Sequence, residues 1–190
     1  MPNLYIIAGC NGAGKTTTSY TVLPEMLNCK EFVNADEIAR GLSPFQPETV
    51  SFQAGRIMLN RIKDLLKEGK DFAFETTLST RSYVPMVQQA KKNGYVIFLI
   101  FFWLESVDLA KNRVQERVKK GGHSIAPEII HRRYLRGIRN FFRLYRVLAE
   151  NWIVYDNSAA EPLPLASGNT GTTTHIYNSD IWNLIESENE

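Results

Sequence analysis

The chain has 190 residues, of which 44% are hydrophobic and 22% charged, and its formal net charge is +2. This length is enough for one domain with a sizeable core, and so small a charge does not by itself imply a nucleic-acid partner. Cys10 and Cys29 lack the spacing of a metal site, and no basic segment leads into an apolar one at the N-terminus. The longest apolar run, Val96 to Leu104, is far shorter than the ~20 residues of a membrane helix. We therefore expect a single cytoplasmic domain that does not enter a membrane.

Near the N-terminus, a glycine-rich segment fits the phosphate-binding pattern G-x-x-x-x-G-K-[ST]. A strand-like run, Leu4 to Ala8, precedes it, and a helix-compatible stretch, 15–27, follows it. In such a loop the backbone N–H groups and the helix N-terminus bind phosphates, the lysine reaches the β- and γ-phosphates, and the hydroxyl binds Mg²⁺. The predicted nucleotide-binding residues are Gly9, Cys10, Asn11, Gly12, Ala13, Gly14, Lys15, Thr16 and Thr17.

The rest of the chain alternates strand and helix signals. Strands are predicted over 31–33, 71–75, 95–104 and 151–156. Helices are predicted over 36–40, 48–68, 79–93 with Ser79 as N-cap, 106–120 and 127–150. A hairpin over 162–178, turning at 168–171, and a helix over 179–188 complete the pattern. This alternation favours a single α/β domain with a parallel sheet covered on both faces.

Two carboxylates follow predicted strands, where ligands bind in open α/β sheets. Asp36 is a candidate to accept the proton of an acceptor hydroxyl, or else it caps a helix. Glu75 is a candidate to orient the acceptor or to hold a Mg²⁺-bound water, or else it is a metal ligand of the Walker B type. Thr76 and Thr77 offer hydroxyls to a polar substrate or simply cap the turn, and Arg81 follows them.

Basic residues dominate the region after the strand at 95–104. Arg113 and Arg117 are four residues apart on one helical face, and they act as phosphate-binding arginines of a mobile lid or form an ordinary surface pair. The pair Gly121 and Gly122 suits a hinge. His123, next to it, contacts substrate or is structural.

A regular arginine stripe marks the predicted helix 127–150. Its members recur at spacings of 4, 3, 4 and 3, opposite an apolar core face. Three interpretations remain open: a solvated face with carboxylate partners, a surface for RNA or another polyanion, or a helix of which only the start, at Arg132, Arg133 or Arg136, contacts phosphate. Arg133 flanks the apolar face, which favours an inward position. The stripe consists of Arg132, Arg136, Arg139, Arg143 and Arg146.

Taken together, these segments resemble the zeta-toxin family of P-loop kinases, in its stand-alone predicted-ATPase branch. The matching segments are 9–16, 34–37, 74–78, 113–123, 131–134 and 155–158. The resemblance implies a P-loop NTPase three-layer sandwich, with a nucleotide-kinase-like parallel sheet and a helical lid. It also implies that Lys15 and Thr16 serve ATP and Mg²⁺, that Asp36 is the base, that Glu75 and Thr77 contact the acceptor, and that lid arginines stabilise the transferred phosphate. In the toxins, the acceptor is a UDP-linked amino sugar.

The expected function is therefore that of a Mg-ATP-dependent small-molecule kinase with a UDP-amino sugar as the leading acceptor. Alternatives are a kinase for another metabolite or antibiotic, and a nucleotide-dependent RNA-binding or switch ATPase. An antitoxin-like protein partner, on a separate chain, is possible under the resemblance. The predicted catalytic residues are Asp36, Lys15, Arg113 and Arg117. The predicted substrate-binding residues are Asp36, Glu75, Thr76, Thr77, Arg81, His123 and Arg133, and the predicted metal ligands are Thr16 and Glu75.

Overall fold

A computed structural model describes residues 1–122, 124–187 and 189. His123, and residue 188 at the end of the helix predicted over 179–188, lie outside these residues. Within them, seven strands form one sheet in the order β2-β3-β1-β4-β5-β6-β7. The strands are β1 (Asn3–Gly9), β2 (Phe32–Val33), β3 (Phe72–Thr76), β4 (Val96–Trp103), β5 (Asn151–Asp156), β6 (Leu163–Asn169) and β7 (Thr172–Ile176).

The first five strands are parallel, as their alternation with helices predicted. Strand β1 lies at the centre, where Leu4 pairs with Phe72 of β3 on one side and Ile97 of β4 on the other. Its residues from Leu4 to Gly9 are buried, which explains why β1 is an uninterrupted apolar run. Because parallel strands end at the same edge, the loops after β1, β2 and β3 meet there.

The helices follow the strands closely. They are α1 (Lys15–Thr21), α2 (Ala35–Leu42), α3 (Ser51–Glu68), α4 (Val84–Lys92), α5 (Val107–Lys119), α6 (Pro127–Asn140) and α7 (Ser179–Ser187). Helices α1 and α6 continue as single π-helical turns, Val22–Met26 and Phe141–Tyr145. None of the helices in the described part of the chain combines the length and the apolar character that a membrane crossing requires.

The helix predicted from Ser79 begins five residues later, at Val84, so Ser79 is not its N-cap. The hydroxyls of the intervening loop bond to the loop itself: Leu78 N–H donates to Thr76 Oγ1 at 3.1 Å, and Thr77 Oγ1 lies 2.9 Å from Ser79 Oγ. Such local bonds compete with a helix. Asn140 of α6 then fastens the loop by donating to the Leu78 carbonyl at 2.6 Å.

The C-terminal hairpin is confirmed, with Thr170 and Gly171 at its turn, both at positive φ. Helix α7 anchors it to the core, because Trp182 stacks on Trp152 of β5 with ring centroids 5.7 Å apart. The predicted helix over 127–150 is shorter than expected, since it gives way to turns after Tyr145 so that β5 can begin at Asn151.

Candidate active site

The glycine-rich segment forms a tight loop between β1 and α1. Gly9 has φ +141°, and a Cβ atom there would lie 2.3 Å from the Phe102 carbonyl oxygen of β4. Gly14 has φ +80°, and a Cβ atom there would lie 2.4 Å from Asn157 Nδ2. Glycine is therefore required at both positions by backbone conformation and by space. Asn157 also donates to the Ala13 carbonyl at 2.7 Å, so the segment after β5 holds the loop in shape.

A cluster of four side chains lies where α1 meets the ends of β2 and β3. Thr16 Oγ1 donates to Glu75 Oε2 at 2.6 Å, and Asn34 Nδ2 donates to the same oxygen at 2.8 Å. Lys15 Nζ lies 3.5 Å from Glu75 Oε1 and donates to the Cys10 carbonyl at 2.9 Å. Lysine and glutamate are only 6% and 10% exposed, so their attraction is weakly screened by solvent.

Asn34 joins this cluster to the position of Asp36. Its side-chain oxygen accepts from the N–H groups of Asp36 at 2.8 Å and Glu37 at 3.4 Å, which makes it the N-cap of α2. Asp36 thereby begins the first turn of α2 at the mouth of the phosphate loop. Sequence reasoning missed Asn34 as a functional residue, although its place before a helix with acidic residues in the first turn was a usable capping signal.

Arg133 faces inward, as its position beside the apolar face predicted. Its Nη1 donates to Asn11 Oδ1 of the phosphate loop at 3.1 Å. Burial lowers the pKa of the Arg133 guanidinium, and the nearby Asp36 carboxylate opposes that shift. The stripe itself is not uniform: Arg132, Arg136 and Arg139 are exposed, whereas Arg146 pairs with Glu186 at 3.3 Å and packs over the Phe142 ring. Of the three interpretations, the geometry fits best the one in which the start of α6 faces the nucleotide site.

The two arginines of α5 have different surroundings. Arg113 donates to the backbone carbonyls of Asn157 at 2.7 Å and Ser158 at 2.8 Å, so it clamps α5 to the loop after β5. Arg117 lines the cavity described below, and its Nε and Nη2 are buried without a hydrogen-bond partner among the described residues. Buried donors without partners are costly, which makes Arg117 the better candidate to bind a ligand.

Many of these residues line one cavity of about 1060 Å³, whereas Asn34, Arg133 and Asn157 lie outside its described lining. Its lining comes from the phosphate loop and α1, from α2 and Glu75, and from α5 with Gly121 and Gly122. Besides Arg133, three predicted substrate residues also lie outside that lining. Thr76 is buried, Thr77 bonds to Ser79, and Arg81 is exposed in the loop after β3, outside the described lining of the cavity. Sequence reasoning also missed Tyr20, Glu37 and Arg40 as residues that line the cavity, although Glu37 stands in the matching segment 34–37.

A family model described as zeta toxin matches residues 1–180. The chain belongs to the zeta toxin family. A relative in Haemophilus influenzae, described as an uncharacterized protein, is 32% identical over 127 residues, which is 66% of this chain and 88% of the relative.

Two solved structures show how this zeta toxin family member compares in fold. The AvrRxo1-ORF1:-ORF2 structure with ATP has a TM-score of 0.72 at 17% sequence identity. The aligned region covers 97% of this chain and 63% of the AvrRxo1 chain. This chain thus spans less than two thirds of that protein. The structure of the PezAT toxin-antitoxin system of Streptococcus pneumoniae has a TM-score of 0.69 at 15% identity, covering 98% of this chain and 85% of its own. Family and fold together support a nucleotide-dependent P-loop kinase.

The donor set of this zeta toxin family member suits Mg²⁺. Magnesium prefers oxygen ligands and keeps several waters, needing few protein groups besides substrate phosphates. The Thr16 hydroxyl and the Glu75 carboxylate are 2.6 Å apart and both line the cavity, so the pair supplies such oxygens. Within residues 1–122, 124–187 and 189, no group of three or more His, Cys, Asp or Glu side chains is suited to a metal ion. The two oxygen groups at Thr16 and Glu75 are therefore the ones that fit a magnesium ion carried by the phosphates of a nucleotide.

Proposed function

We propose that this chain is an ATP-dependent kinase that transfers the γ-phosphate to a hydroxyl of a small molecule, with a UDP-amino sugar as the leading acceptor. The proposal depends on one observation: a phosphate loop, two carboxylates from neighbouring strand ends, and Arg117, whose Nε and Nη2 are buried without a partner among the described residues, share one cavity. Binding of ATP alone needs only the loop, whereas transfer to a hydroxyl also needs a base and cations for the moving charge.

In the proposed reaction, the acceptor oxygen forms a bond to the γ-phosphorus as the bond between that phosphorus and the bridging oxygen of ADP breaks. Asp36 takes the hydroxyl proton. Lys15, Arg117 and Arg133 offset the negative charge on the transferred group, since their cationic side chains lie on or beside the phosphate loop. Arg113 positions the loop after β5 instead of contacting the phosphate.

Magnesium would be held by Thr16, with Glu75 binding it directly or through a water, and it would neutralise charge on the phosphates of ATP. Glu75 already accepts hydrogen bonds from Thr16 and Asn34. These two donors fix the orientation of its carboxylate whichever of the two roles it has.

The deciding experiment is a transfer assay. Purified protein, Mg-ATP and a panel of UDP-sugars are incubated, and each acceptor is examined by mass spectrometry for the gain of one phosphate. We expect a phosphorylated UDP-amino sugar, and we expect Asp36→Asn to lower its formation at least ~10²-fold while ATP still binds. Hydrolysis of ATP without transfer to any member of the panel would refute the UDP-sugar assignment. Undiminished transfer by Asp36→Asn would refute the role of the base.

A protein partner also belongs to the proposal. The similar solved structures are a complex of AvrRxo1-ORF1 with ORF2 and a toxin-antitoxin system, which supports a separately encoded, antitoxin-like partner for this chain. Because ATP and nucleotide sugars are metabolites of the cytosol, the proposal includes a cytoplasmic location. Co-purification of this chain with the product of a neighbouring reading frame tests the partner directly.

A further inference from the structure

The arginines of α6 that point away from the phosphate loop have no role in the proposed reaction. Arg132, Arg136 and Arg139 are exposed and lie outside the described lining of the cavity, whereas Arg133 of the same helix bonds to the phosphate loop. We call Arg132, Arg136 and Arg139 the outer arginine face. Because they are spaced by four and three residues, they are neighbours on one side of α6.

The outer arginine face forms no ion pair with the described part of the chain. Even Glu128, one turn before Arg132 on α6, is not paired with it. The interpretation of the stripe as a face with carboxylate partners therefore holds for Arg146, which pairs with Glu186, but not for these three arginines. Like charges three and four residues apart destabilise a helix. Carboxylates supplied by another molecule would remove this repulsion.

The composition of this surface suits a protein partner. Helix α6 contains four arginines and no lysine, and arginine is the cation preferred at interfaces, where its planar guanidinium binds carboxylates with two parallel hydrogen bonds. Leu135 lies on the same side, three residues after Arg132 and four before Arg139, and it is 49% exposed. It adds an apolar contact between the charges.

A nucleic acid would fit the same surface less well. The chain has 22 Lys and Arg against 20 Asp and Glu, so the summed field that attracts a phosphate backbone is weak. The aromatic residue of α6, Tyr134, is buried and offers no ring on which a base could stack. The exposed Leu135 has no use in a contact with phosphates.

We propose that the outer arginine face binds an acidic helix of a partner protein, whose carboxylates pair with the three guanidinium groups around Leu135. Four and three residues of helix rise about 6.0 and 4.5 Å, so a second helix with acidic residues at the same spacings matches both intervals. The surface lies outside the described lining of the nucleotide cavity, so this helix and ATP bind independently. The inference does not depend on the proposed kinase function.

The test uses the full chain and a labelled, alanine-rich helical peptide that carries glutamates at the same spacings as the outer arginine face and a leucine on their side. Fluorescence anisotropy at low salt should give a Kd on the order of 0.1 mM. The double variant Arg136→Glu, Arg139→Glu should raise this Kd about tenfold or more, because two attractions become repulsions. Arg136→Gln, Arg139→Gln, which only removes the charges, should raise it by a smaller factor. Arg132 is left unchanged because it adjoins Arg133.

The matched control is Lys63→Glu, Lys67→Glu. These two exposed lysines lie one turn apart on α3, so the control changes the net charge as much as Arg136→Glu, Arg139→Glu does. It should bind the peptide as wild type does. Circular dichroism of all variants checks that their helices are retained.

Several results would overturn the proposal. One is the absence of peptide binding to wild type, and another is an equal loss of binding in the α3 control. A third is equal binding of a peptide of the same composition whose glutamates are spread around its helix. Tighter binding of a uridine oligonucleotide, lost in Arg136→Glu, Arg139→Glu, would identify a nucleic-acid surface instead. Saturating Mg-ATP should change the peptide Kd less than about twofold, and competition between the two would place the peptide in the cavity.

Discussion

At the scale of single residues, Asn34 has two functions that are separable by mutation. Its oxygen caps α2, and its amide nitrogen donates to Glu75 Oε2 at 2.8 Å. The side chain is only 5% exposed, so neither contact is readily replaced by water. One short polar residue therefore couples the start of a helix to the carboxylate at the centre of the site.

Replacing Asn34 should expose this coupling. Asn34→Ala removes both contacts and should lower the free energy of unfolding by about 1 to 2 kcal/mol. Asn34→Ser keeps a capping oxygen but is too short to reach Glu75, so it should retain about 1 kcal/mol more stability than the alanine variant. Both should lower turnover about tenfold, because Glu75 loses one of the donors that orient it. Urea unfolding and kcat measure the two effects, and wild-type turnover in Asn34→Ser would show that the bond to Glu75 is dispensable.

At the scale of elements, α5 has two arginines one turn apart whose hydrogen-bonding surroundings differ. Arg113 is satisfied by backbone carbonyls after β5, whereas Arg117 lines the cavity and has two buried donors, Nε and Nη2, without a partner in the described part of the chain. The (i, i+4) spacing places both arginines on one face of the helix, so the sequence alone did not reveal this difference. The helix therefore combines a structural attachment with a candidate phosphate-binding group.

The two arginines should give different kinetic phenotypes. Arg117→Ala should lower kcat about 10²- to 10³-fold with little change in the KM for ATP, because it removes charge stabilisation in the transition state. Arg113→Ala should raise the KM for ATP about tenfold and change kcat at most about threefold, since it releases the loop that supports the phosphate-binding segment. Lys119→Ala, on the exposed side of the same helix, is the control. A loss of kcat confined to Arg113→Ala would reverse the assignment.

How far the sequence predicted the elements depended on the range of the interactions involved. The parallel sheet and the inward position of Arg133 followed from strand-helix alternation and apolar periodicity, which are local patterns. The predicted start of α4 was wrong, because the hydroxyls of Thr76 and Thr77 form hydrogen bonds within their own loop. Asn157 was missed as a support of the phosphate loop, because an amide that acts on a carbonyl 144 residues away has no local pattern.

At the scale of the whole molecule, two buried thiols make stability depend on alkaline pH. Burial raises the pKa of Cys10 and of Cys29 from 9.0 to about 11, with Lys15 opposing the shift at Cys10. The folded state therefore holds these protons more tightly than the unfolded state does. Their contribution to stability is complete below pH 9 and is lost as pH rises through 11.

We expect each thiol to account for about 2 to 3 kcal/mol of lost stability between pH 9 and pH 11. Urea unfolding across this range should therefore show a steeper decline for wild type than for the Cys10→Ala, Cys29→Ala double variant. The comparison is between the slopes of the free energy of unfolding against pH. A loss of stability that the substitutions cause equally at every pH does not affect these slopes. Parallel slopes for the two proteins would contradict the expectation.

The bond from Asn157 to the Ala13 carbonyl has a consequence for biosynthesis. The phosphate loop leaves the ribosome before the residue that supports it, which is made 144 positions later. At about 5 to 20 residues per second, roughly 7 to 29 seconds of translation separate them. Throughout that interval the nascent chain has the sequence of a nucleotide site without its finished shape. The order of synthesis thus delays ATP binding, and any activity that depends on it, until the parallel sheet is almost complete.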